Sequence, residues 1–391
     1  MELGIVPPAS PPKSMPTPRI LATALSLASA LAFTAVTGGA LAQESQLDAL
    51  KAAARASSGD ANAALALGRG LRRAGHQAES LAELRRGVNL PAARTGDIAT
   101  ALHLELARTQ IAKKDFGQAM VQCRVLGAVA GGAGMGHACA AEAHLLWNRA
   151  SEALAETSQA LAGQAKIYDA KVSEGLAHEL ELKDTEAEAS FREALQWKSD
   201  RPEAHVALGR LLMRTGQRDA ALQELRQAIQ LDPNGPDVAF ELAQALPANP
   251  EAVTLLQRAV RECPTFAPAI RNLAVVQLSL GDVSAAKSAA ETALSVEPQD
   301  ASTHVVYGKV LLADGKPDDA IRAAQSALKI LPNAAGAKLL IADAYAKKGE
   351  IDLAVENYQN AYGLDHSDPS PLVHASEASP PVGTRAPRRS A

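Results

Sequence analysis

The sequence predicts an all-α protein, an α-solenoid of about nine helix-turn-helix repeats of 34 residues each. Three observations predict this fold class. Of the 391 residues, 47% are apolar but only 3% are aromatic, so a packed interior must be built from Ala and Leu, which favours closely spaced helices. The same order of small and large residues returns with a 34-residue period. Gly and Pro also return at fixed points of that period, where they separate one helix from the next.

Residues 1–42 have the features of an export signal. Arg19 precedes the charge-free run Ile20–Val36, and the small residues of Ala40-Leu41-Ala42 suit a signal peptidase. We therefore expect cleavage after Ala42 and an exported mature protein, either periplasmic or secreted. The alternative is a membrane anchor, but the apolar run is shorter than the roughly 20 residues that a spanning helix needs. Translation starts at Met1 or, as an alternative, at Met15.

Residues 43–60 are expected to form an N-terminal capping helix. Gln46, Leu50 and Ala53 have the spacing of the second helix of a preceding repeat, but no first helix accompanies them. A lone helix of this kind covers the apolar side of the first repeat.

The repeats are predicted to fill residues 61–368. Stepping by 34 residues from the clearest unit, Pro202–Gly235, recovers its pattern in both directions, with one unit three residues short and five extra residues at 95–99. The pattern has large residues at unit positions 7, 11 and 24, small ones at 8, 20 and 27, Gly at 15 and Pro at 32. In the clearest unit these residues are Leu208, Gly209, Leu212, Gly216, Ala221, Leu225, Ala228 and Pro233. The units begin at Ala61, Thr100, Gly134, Tyr168, Pro202, Pro236, Ala267, Ala301 and Ala335.

Residues 369–391 are predicted to be a disordered tail, because they are rich in proline and poor in apolar residues. The last repeat then lacks a C-terminal cap, which leaves Val355 and Tyr362 on an exposed apolar ledge. A partner, a second copy of the chain and the folded-back pair Leu372-Val373 are the alternatives for covering this ledge.

The repeat pattern resembles the tetratricopeptide-repeat family over nearly all of the mature chain. The resemblance implies a right-handed solenoid whose first helices line a concave groove for a protein partner. The family's clamp for a chaperone tail needs Lys at position 5 and Asn at position 9. In this sequence only Arg271 and Asn272 resemble that pattern, and they do not match it. The clamp function is therefore not carried over to this chain.

The resemblance places unit positions 2, 5, 9, 12 and 13 in the groove. Position 5 is apolar in eight of the nine predicted units, and positions 9, 12 and 13 are rich in Arg and Lys. We therefore expect a groove with an apolar floor and basic walls. The residues expected to bind a partner are Arg69, Arg72, Arg108, Val206, Arg210, Arg214, Phe240, Arg271 and Lys309. The alternative is that position 5 is half-buried between neighbouring helices and that the cations are only solvated.

Two of the three cysteines fall on helices that pack together in this family. In an oxidising compartment Cys123 and Cys139 are expected to form a disulfide. The alternative is a pair of buried thiols, which are common in protein interiors. Cys263 has no evident partner in the sequence.

The sequence has none of the catalytic or metal motifs that carry a recognisable spacing: no G-x-S-x-G, no H-E-x-x-H, no C-x-x-C pair and no Walker loop. Six histidines stand at unit positions 4 and 11, where the family has aromatic residues, and no clustered thiol or carboxylate completes a metal site. They are His103, His137, His144, His178, His205 and His304. A formal net charge of -4 gives no reason to expect nucleic-acid binding. We therefore predict no enzymatic activity, no cofactor and no metal.

The function predicted from these features is that of an exported scaffold that holds an extended or helical segment of another envelope protein. One alternative is a helper in polysaccharide synthesis or export, with a sugar chain as the ligand. Another is a small-molecule or metal-binding envelope protein that uses the histidines. After removal of the signal, no integral membrane span is expected.

Overall fold

The computed structural model describes residues 40–93, 96–129, 132–162 and 165–378. Regular secondary structure in these ranges is entirely helical, and adjacent helices pack in pairs, which confirms the predicted all-α fold. The number of repeats stays a prediction. Residues 1–39, which hold most of the predicted export signal, and residues 379–391 lie outside the described part. No helix within the described ranges has both the length and the apolar character of a membrane span.

The described residues form twenty α-helices and one short 3-10 turn at Pro91–Ala93. The chain divides into two compact units, Gln46–Thr215 and the residues from Gly216 onward, which are described separately. In chain order the helices are α1 (Ala40–Ala56), α2 (Ala61–Arg73), α3 (Gln77–Val88), α4 (Gly96–Ala112), α5 (Phe116–Ala128), α6 (Ala133–Leu146), α7 (Ala150–Ala160), α8 (Tyr168–Leu180), α9 (Asp184–Trp197), α10 (Pro202–Arg214), α11 (Arg218–Leu231), α12 (Pro236–Ala245), α13 (Pro250–Glu262), α14 (Ala267–Ser279), α15 (Val283–Val296), α16 (Ala301–Ala313), α17 (Pro317–Ile330), α18 (Ala335–Lys348), α19 (Ile351–Leu364) and α20 (Ser370–Ala378).

Local sequence sets where these helices begin. Asp60, Asp115 and Asp282 each precede a helix, and their carboxylates accept a hydrogen bond from a backbone N–H of its first turn. Pro202 and Pro236 each stand first in a helix, where the missing N–H removes no intrahelical hydrogen bond. At these five helices the start therefore follows from the chemistry of a single residue.

Left-handed residues join the helices of many pairs at unit position 15. Gly75 and Gly281 have φ of 84° and 83° there, a conformation that glycine adopts without steric cost. Where the sequence lacks this glycine, Lys114, Asn148 and Leu182 take the same conformation, with φ of 61°, 59° and 59°. Leu182 therefore carries backbone strain that a glycine would relieve.

In the first unit, small residues let paired helices approach closely. A Cβ atom at Gly175 would lie only 2.4 Å from Cε1 of Phe191, so glycine alone admits this fully buried ring. At the start of the unit, α1 places Leu47 in an apolar cluster with Leu67 and Leu71 of α2. The core is a series of such clusters along the chain, as expected of a repeat array.

In the second unit, small residues of α17 pack with large residues of α18 in one apolar cluster. The small residues are Ala320, Ala324 and Ala327, and the large ones include Leu340 and Ile341. A separate cluster around Tyr358 of α19 includes residues of the C-terminal helix. The prediction of a disordered tail from residue 369 is wrong for residues 370–378, because they form α20.

The predicted bare ledge is also corrected by α20. Ala375 and Ala378 of this helix pack against the cluster around Tyr358 of α19. Val355 and Tyr362 are half-buried rather than exposed. The pair Leu372-Val373 does not provide this cover, since both side chains are exposed.

Candidate partner-binding surface

Most of the apolar residues at unit position 5 are buried between neighbouring helices. Val206 and Phe240, both predicted to bind a partner, are buried, and so are Leu65, Ala138 and Val172. Leu104, Val305 and Leu339 are half-buried. An apolar floor formed by position 5 is therefore wrong for most units, because neighbouring helices already cover these side chains.

Arg69 and Arg72 of α2 bind one carboxylate on α4. The Nε atoms of Arg69 and Arg72 donate to Oε1 and Oε2 of Glu105 at 3.0 Å and 3.1 Å. Arg72 and Glu105 are both buried, whereas the side chain of Arg69 is partly exposed. Two predicted groove cations thus join neighbouring first helices.

Arg108 of α4 repeats this arrangement one unit later. Its Nε donates to Glu142 of α6 at 3.2 Å, and its Nη2 lies 3.8 Å from a carboxylate oxygen of Asp169 on α8. Asp169 is also bound by Arg201, at 3.1 Å. Arg108 is therefore held by carboxylates from two helices.

Arg210 and Arg214 of α10 share Glu179 of α8. Nε of Arg210 donates to Glu179 at 3.3 Å, and Nη2 of Arg214 lies 3.8 Å from the same carboxylate. Arg214 also pairs with Asp184 of α9 at 2.7 Å. We call the whole set the ion-pair ladder. Its members are Arg69, Arg72, Glu105, Arg108, Glu142, Asp169, Glu179, Asp184, Arg201, Arg210 and Arg214.

The ladder lowers the pKa values of two of its carboxylates, Glu105 and Asp169. Burial alone would raise the pKa of Glu105, but the charges of Arg72, Arg108 and Arg69 outweigh it and the pKa is lowered. The pKa of Asp169 is lowered in the same way, with burial outweighed by Arg108 and Arg201. Burial lowers the pKa of Arg72 in spite of Glu105. These side chains are internal ion pairs, and the expected basic walls are wrong for the first unit.

Arg271 in the second unit is also bound internally. Its Nη1 donates to Glu297 at 2.7 Å and to Asp300 at 2.9 Å. Lys309 differs from it, because it is exposed and, among the described residues, none binds its ammonium group. Of the predicted groove cations in this unit, Lys309 is the one left available to a ligand.

The first helices of the second unit also carry accessible apolar side chains. Val275 of α14 is exposed, and Val305, Leu312 and Leu339 are half-buried. Neighbouring first helices are tied here by a hydrogen bond from Nζ of Lys347 to the backbone oxygen of Leu312, at 3.0 Å. We call this surface the first-helix face of the second unit. It consists of Val275, Val305, Lys309, Leu312 and Leu339.

A disulfide lies between α5 and α6. Sγ of Cys123 is bonded to Sγ of Cys139, and the two Cα atoms are 5.4 Å apart. Both residues are buried in one apolar cluster. Cys263 has a free thiol, and burial raises its pKa.

The histidines at unit position 4 bind groups of the chain itself. Nδ1 of His103 lies 3.1 Å from the side-chain oxygen of Gln122, and Nδ1 of His137 lies 2.7 Å from Glu156. His304 lies 3.0 Å from a backbone oxygen, and His205 contacts another. His144 and His178, at position 11, are half-buried. Across the described ranges, His, Cys, Asp and Glu form no group of three or more that suits a metal ion.

Family models described as tetratricopeptide repeats match residues 185–239, 271–335 and 308–370. The human protein O-mannosyl-transferase TMTC3 is 26% identical over 152 residues, which are 37% of this chain and 17% of that protein. The chain thus spans less than a fifth of that relative.

Among solved structures, the Cut9–Hcn1 hetero-tetramer of the APC/C is similar, with a TM-score of 0.64 and 14% identity over 92% of this chain and 69% of that one. A structure from the functional characterisation of Pseudomonas aeruginosa pilF covers 54% of this chain and 97% of its own, with a TM-score of 0.46 and 20% identity. The first of these likenesses shows a shared helical-repeat fold.

Proposed function

Because this chain is a tetratricopeptide-repeat protein, whose fold is that of a protein-interaction scaffold, we propose that it is an exported, non-enzymatic scaffold for a peptide segment of an envelope protein. The segment binds the first-helix face of the second unit. The observation that carries this proposal is the exposed, unpaired Lys309 on a first helix of a unit whose first helices also carry accessible apolar side chains, whereas Arg271 is held by carboxylates of the chain.

The chemistry of this face indicates the chemistry of the segment. Val275, Val305, Leu312 and Leu339 offer apolar contacts, and Lys309 offers one uncompensated positive charge. The segment is therefore apolar with an acidic residue at the position that faces Lys309, because opposite charges across an interface favour association and set its register.

Two features support export. Ala40-Leu41-Ala42 follows a charge-free run, as in cleaved signals. The bond between Cys123 and Cys139 also suits an oxidising compartment, since disulfides are rare in the cytosol. We expect the mature protein to begin at Gln43 and to be released by opening the cell envelope without detergent. N-terminal sequencing of a cytosolic pool that retains residues 1–42 would contradict this expectation.

The surroundings of Trp147 favour a peptide over a sugar chain. Sugar binding commonly uses an open aromatic face, but the Trp147 ring is stacked on Phe116 at 5.5 Å and lies 3.5 Å from the guanidinium carbon of Arg149. Side chains of the protein itself therefore already contact this ring, although 42% of Trp147 is exposed.

The proposal is tested by affinity capture from an envelope fraction followed by mass spectrometry, with the wild-type chain and variants compared quantitatively. Lys309→Glu and Val275→Ser are each expected to reduce recovery of the partner by about tenfold, a loss of about 1.4 kcal/mol. Lys329→Glu is the matched control for charge, because Lys329 is exposed on a second helix. Val121→Ser is the control for apolar exposure, since Val121 and Val275 are 41% and 39% exposed. Equal recovery with all four variants would show that this face is not the binding site.

A further inference from the structure

Three consecutive repeats of the first unit lack glycine at position 15, in the turn between their helices. Lys114, Asn148 and Leu182 stand there with positive φ, and among the described residues they are the non-glycine residues that do so. Gly75 holds this place in the repeat before them and Gly216 in the repeat after them. The left-handed conformation is costly for Lys and Leu, whereas Asn tolerates it. Backbone strain is therefore confined to neighbouring turns.

Contacts join these three turns into one row. The Phe116 ring, at the start of α5, is stacked on Trp147 of the next turn, with ring centroids 5.5 Å apart. The Ser151 hydroxyl, at the start of α7, donates to Glu181 of the turn after that at 3.3 Å. We call this row the turn edge of the first unit. It consists of Lys113, Lys114, Asp115, Trp147, Asn148, Arg149, Glu181, Leu182 and Lys183.

Two large apolar side chains are exposed on the turn edge. Trp147 is 42% exposed and Leu182 is 47% exposed. An exposed leucine in a left-handed turn adds little to the core and costs backbone energy that glycine would avoid. Strain of this kind collects at functional sites. Trp147 and Leu182 are therefore indicated for a contact that the described residues do not make.

The cations of the turn edge outnumber its carboxylates. The cations are Lys113, Lys114, Arg149 and Lys183, and all of them are exposed. Among the described residues, none forms an ion pair with Lys113 or Lys114. A cation at the end of α4 suits the helix dipole, but the dipole does not explain an exposed Trp or Leu in the same row.

The carboxylates of the turn edge are engaged within the chain. Asp115 accepts a hydrogen bond from a backbone N–H of α5 at 3.2 Å, and Glu181 pairs with Lys183 at 2.7 Å. Beside the edge, Glu152 lies 3.8 Å from Arg149 in an exposed pair, which contributes little in water. The edge therefore presents apolar side chains between positive charges.

An anionic lipid surface fits this combination better than a peptide does. Trp concentrates at the membrane–water interface, where its amphipathic ring lies among the headgroups. Lys and Arg beside it are attracted by anionic lipids. A row of exposed turns can meet a flat surface at several points together, whereas an amphipathic peptide is usually held in a groove.

We propose that the turn edge of the first unit binds the chain to a membrane surface that contains anionic lipids. Trp147 and Leu182 enter the headgroup region, and the four cations lie against lipid phosphates. The association is peripheral and reversible. It is separate from the contact proposed for the first-helix face of the second unit, and each can fail alone.

The test is cosedimentation of the full chain with vesicles of phosphatidylglycerol and phosphatidylcholine in equal parts, compared with vesicles of phosphatidylcholine alone. Leu182→Gly should bind the mixed vesicles about tenfold more weakly, because an apolar side chain is lost from the headgroup region. The same variant should resist urea better than the wild type, since the backbone strain is relieved. Weaker binding by a more stable chain cannot arise from unfolding. Lys113→Glu/Lys114→Glu should also weaken binding and remove most of its dependence on salt.

Two controls match these variants within the first unit. Val125→Ser is the control for apolar exposure, because Val125 is 39% exposed near the far end of α5 from the turn. Arg124→Glu/Lys198→Glu is the control for charge, since both side chains are exposed away from the turn edge. Both controls should bind the mixed vesicles as the wild type does.

The fluorescence of Trp147 reads the contact directly. Trp197→Phe leaves Trp147 as the one tryptophan of the chain, and its emission should shift to shorter wavelength on the mixed vesicles. The proposal is overturned if the wild type does not bind these vesicles, if it binds phosphatidylcholine alone equally well, or if Leu182→Gly binds normally. Unchanged Trp147 emission in the bound chain would show that another segment makes the contact. A captured protein that Leu182→Gly loses, without vesicle binding, would assign the edge to a protein partner instead.

Discussion

Replacing Glu105 with Ala is expected to destabilise the first unit by about 3–5 kcal/mol, the usual cost of leaving one member of a buried ion pair without its partner. Most of this cost arises at Arg72, whose side chain is 3% exposed. The side chain of Arg69 is 40% exposed and can turn to water, so its loss of Glu105 adds little.

Urea denaturation followed by tryptophan fluorescence measures this effect within one unit, because Trp147 and Trp197 both lie in residues 46–215 and are the chain's two tryptophans. Glu152→Ala is the control, since the pair between Arg149 and Glu152 is exposed, with its charged atoms 3.8 Å apart. Its removal should cost less than about 1 kcal/mol.

The double variant Arg72→Met/Glu105→Leu separates the burial of an unpaired charge from a loss of packing. It should recover most of the stability lost in Glu105→Ala, because apolar residues of similar volume can replace a buried pair. If Glu105→Ala costs no more than the exposed control, the ladder is not buried in solution and the reasoning is refuted.

Three further predictions follow from the structure. The pKa values of Glu105 and Asp169 are lowered in the folded chain, so their stabilising contribution is complete above the unfolded-state pKa of about 4 and is lost as pH falls through the lower folded-state pKa. Acid titration of tryptophan fluorescence should therefore unfold Glu105→Gln over a different pH range from the wild type, and identical curves would contradict the assignment. Leu182→Gly should raise the free energy of unfolding by about 1 kcal/mol, because glycine removes the left-handed strain, and a lower midpoint in urea would contradict it. Thiol titration of the unfolded, unreduced protein should find one free thiol, and reduction of the bond between Cys123 and Cys139 should cost about 3 kcal/mol, whereas three free thiols would reject the bond.

The fold was predictable because its signal repeats along the chain. Gly175 against Phe191 shows why: a small residue at position 8 and a large one at position 24 determine a close helix pair wherever they recur. The exposure of the charged side chains was not predictable in the same way. Helical spacing assigns Arg108 to the groove, but its exposure depends on Glu142, which lies one repeat further along the chain on a different helix. A search for opposite charges about one repeat apart would have found this pair.

The C-terminal helix was missed because composition and register disagree there. Prolines made residues 369–391 look disordered, yet Pro369 stands at position 1 of the register, as Pro202 and Pro236 do, and Ser376 provides the small residue at position 8. The periodic signal was present, and it outweighs composition when a neighbouring helix already offers a surface for packing.

The ion-pair ladder limits how freely the units of this chain can be rearranged. Tandem repeats are often treated as interchangeable modules that recombination can delete or duplicate without penalty. Removal of residues 134–167 would preserve the period, yet it would put Leu176 at the position now held by Glu142 and so take away one of the two carboxylates that hold Arg108. Each such unit is therefore specific to its neighbour, and the order of units in the first half of the chain is itself encoded in buried charge.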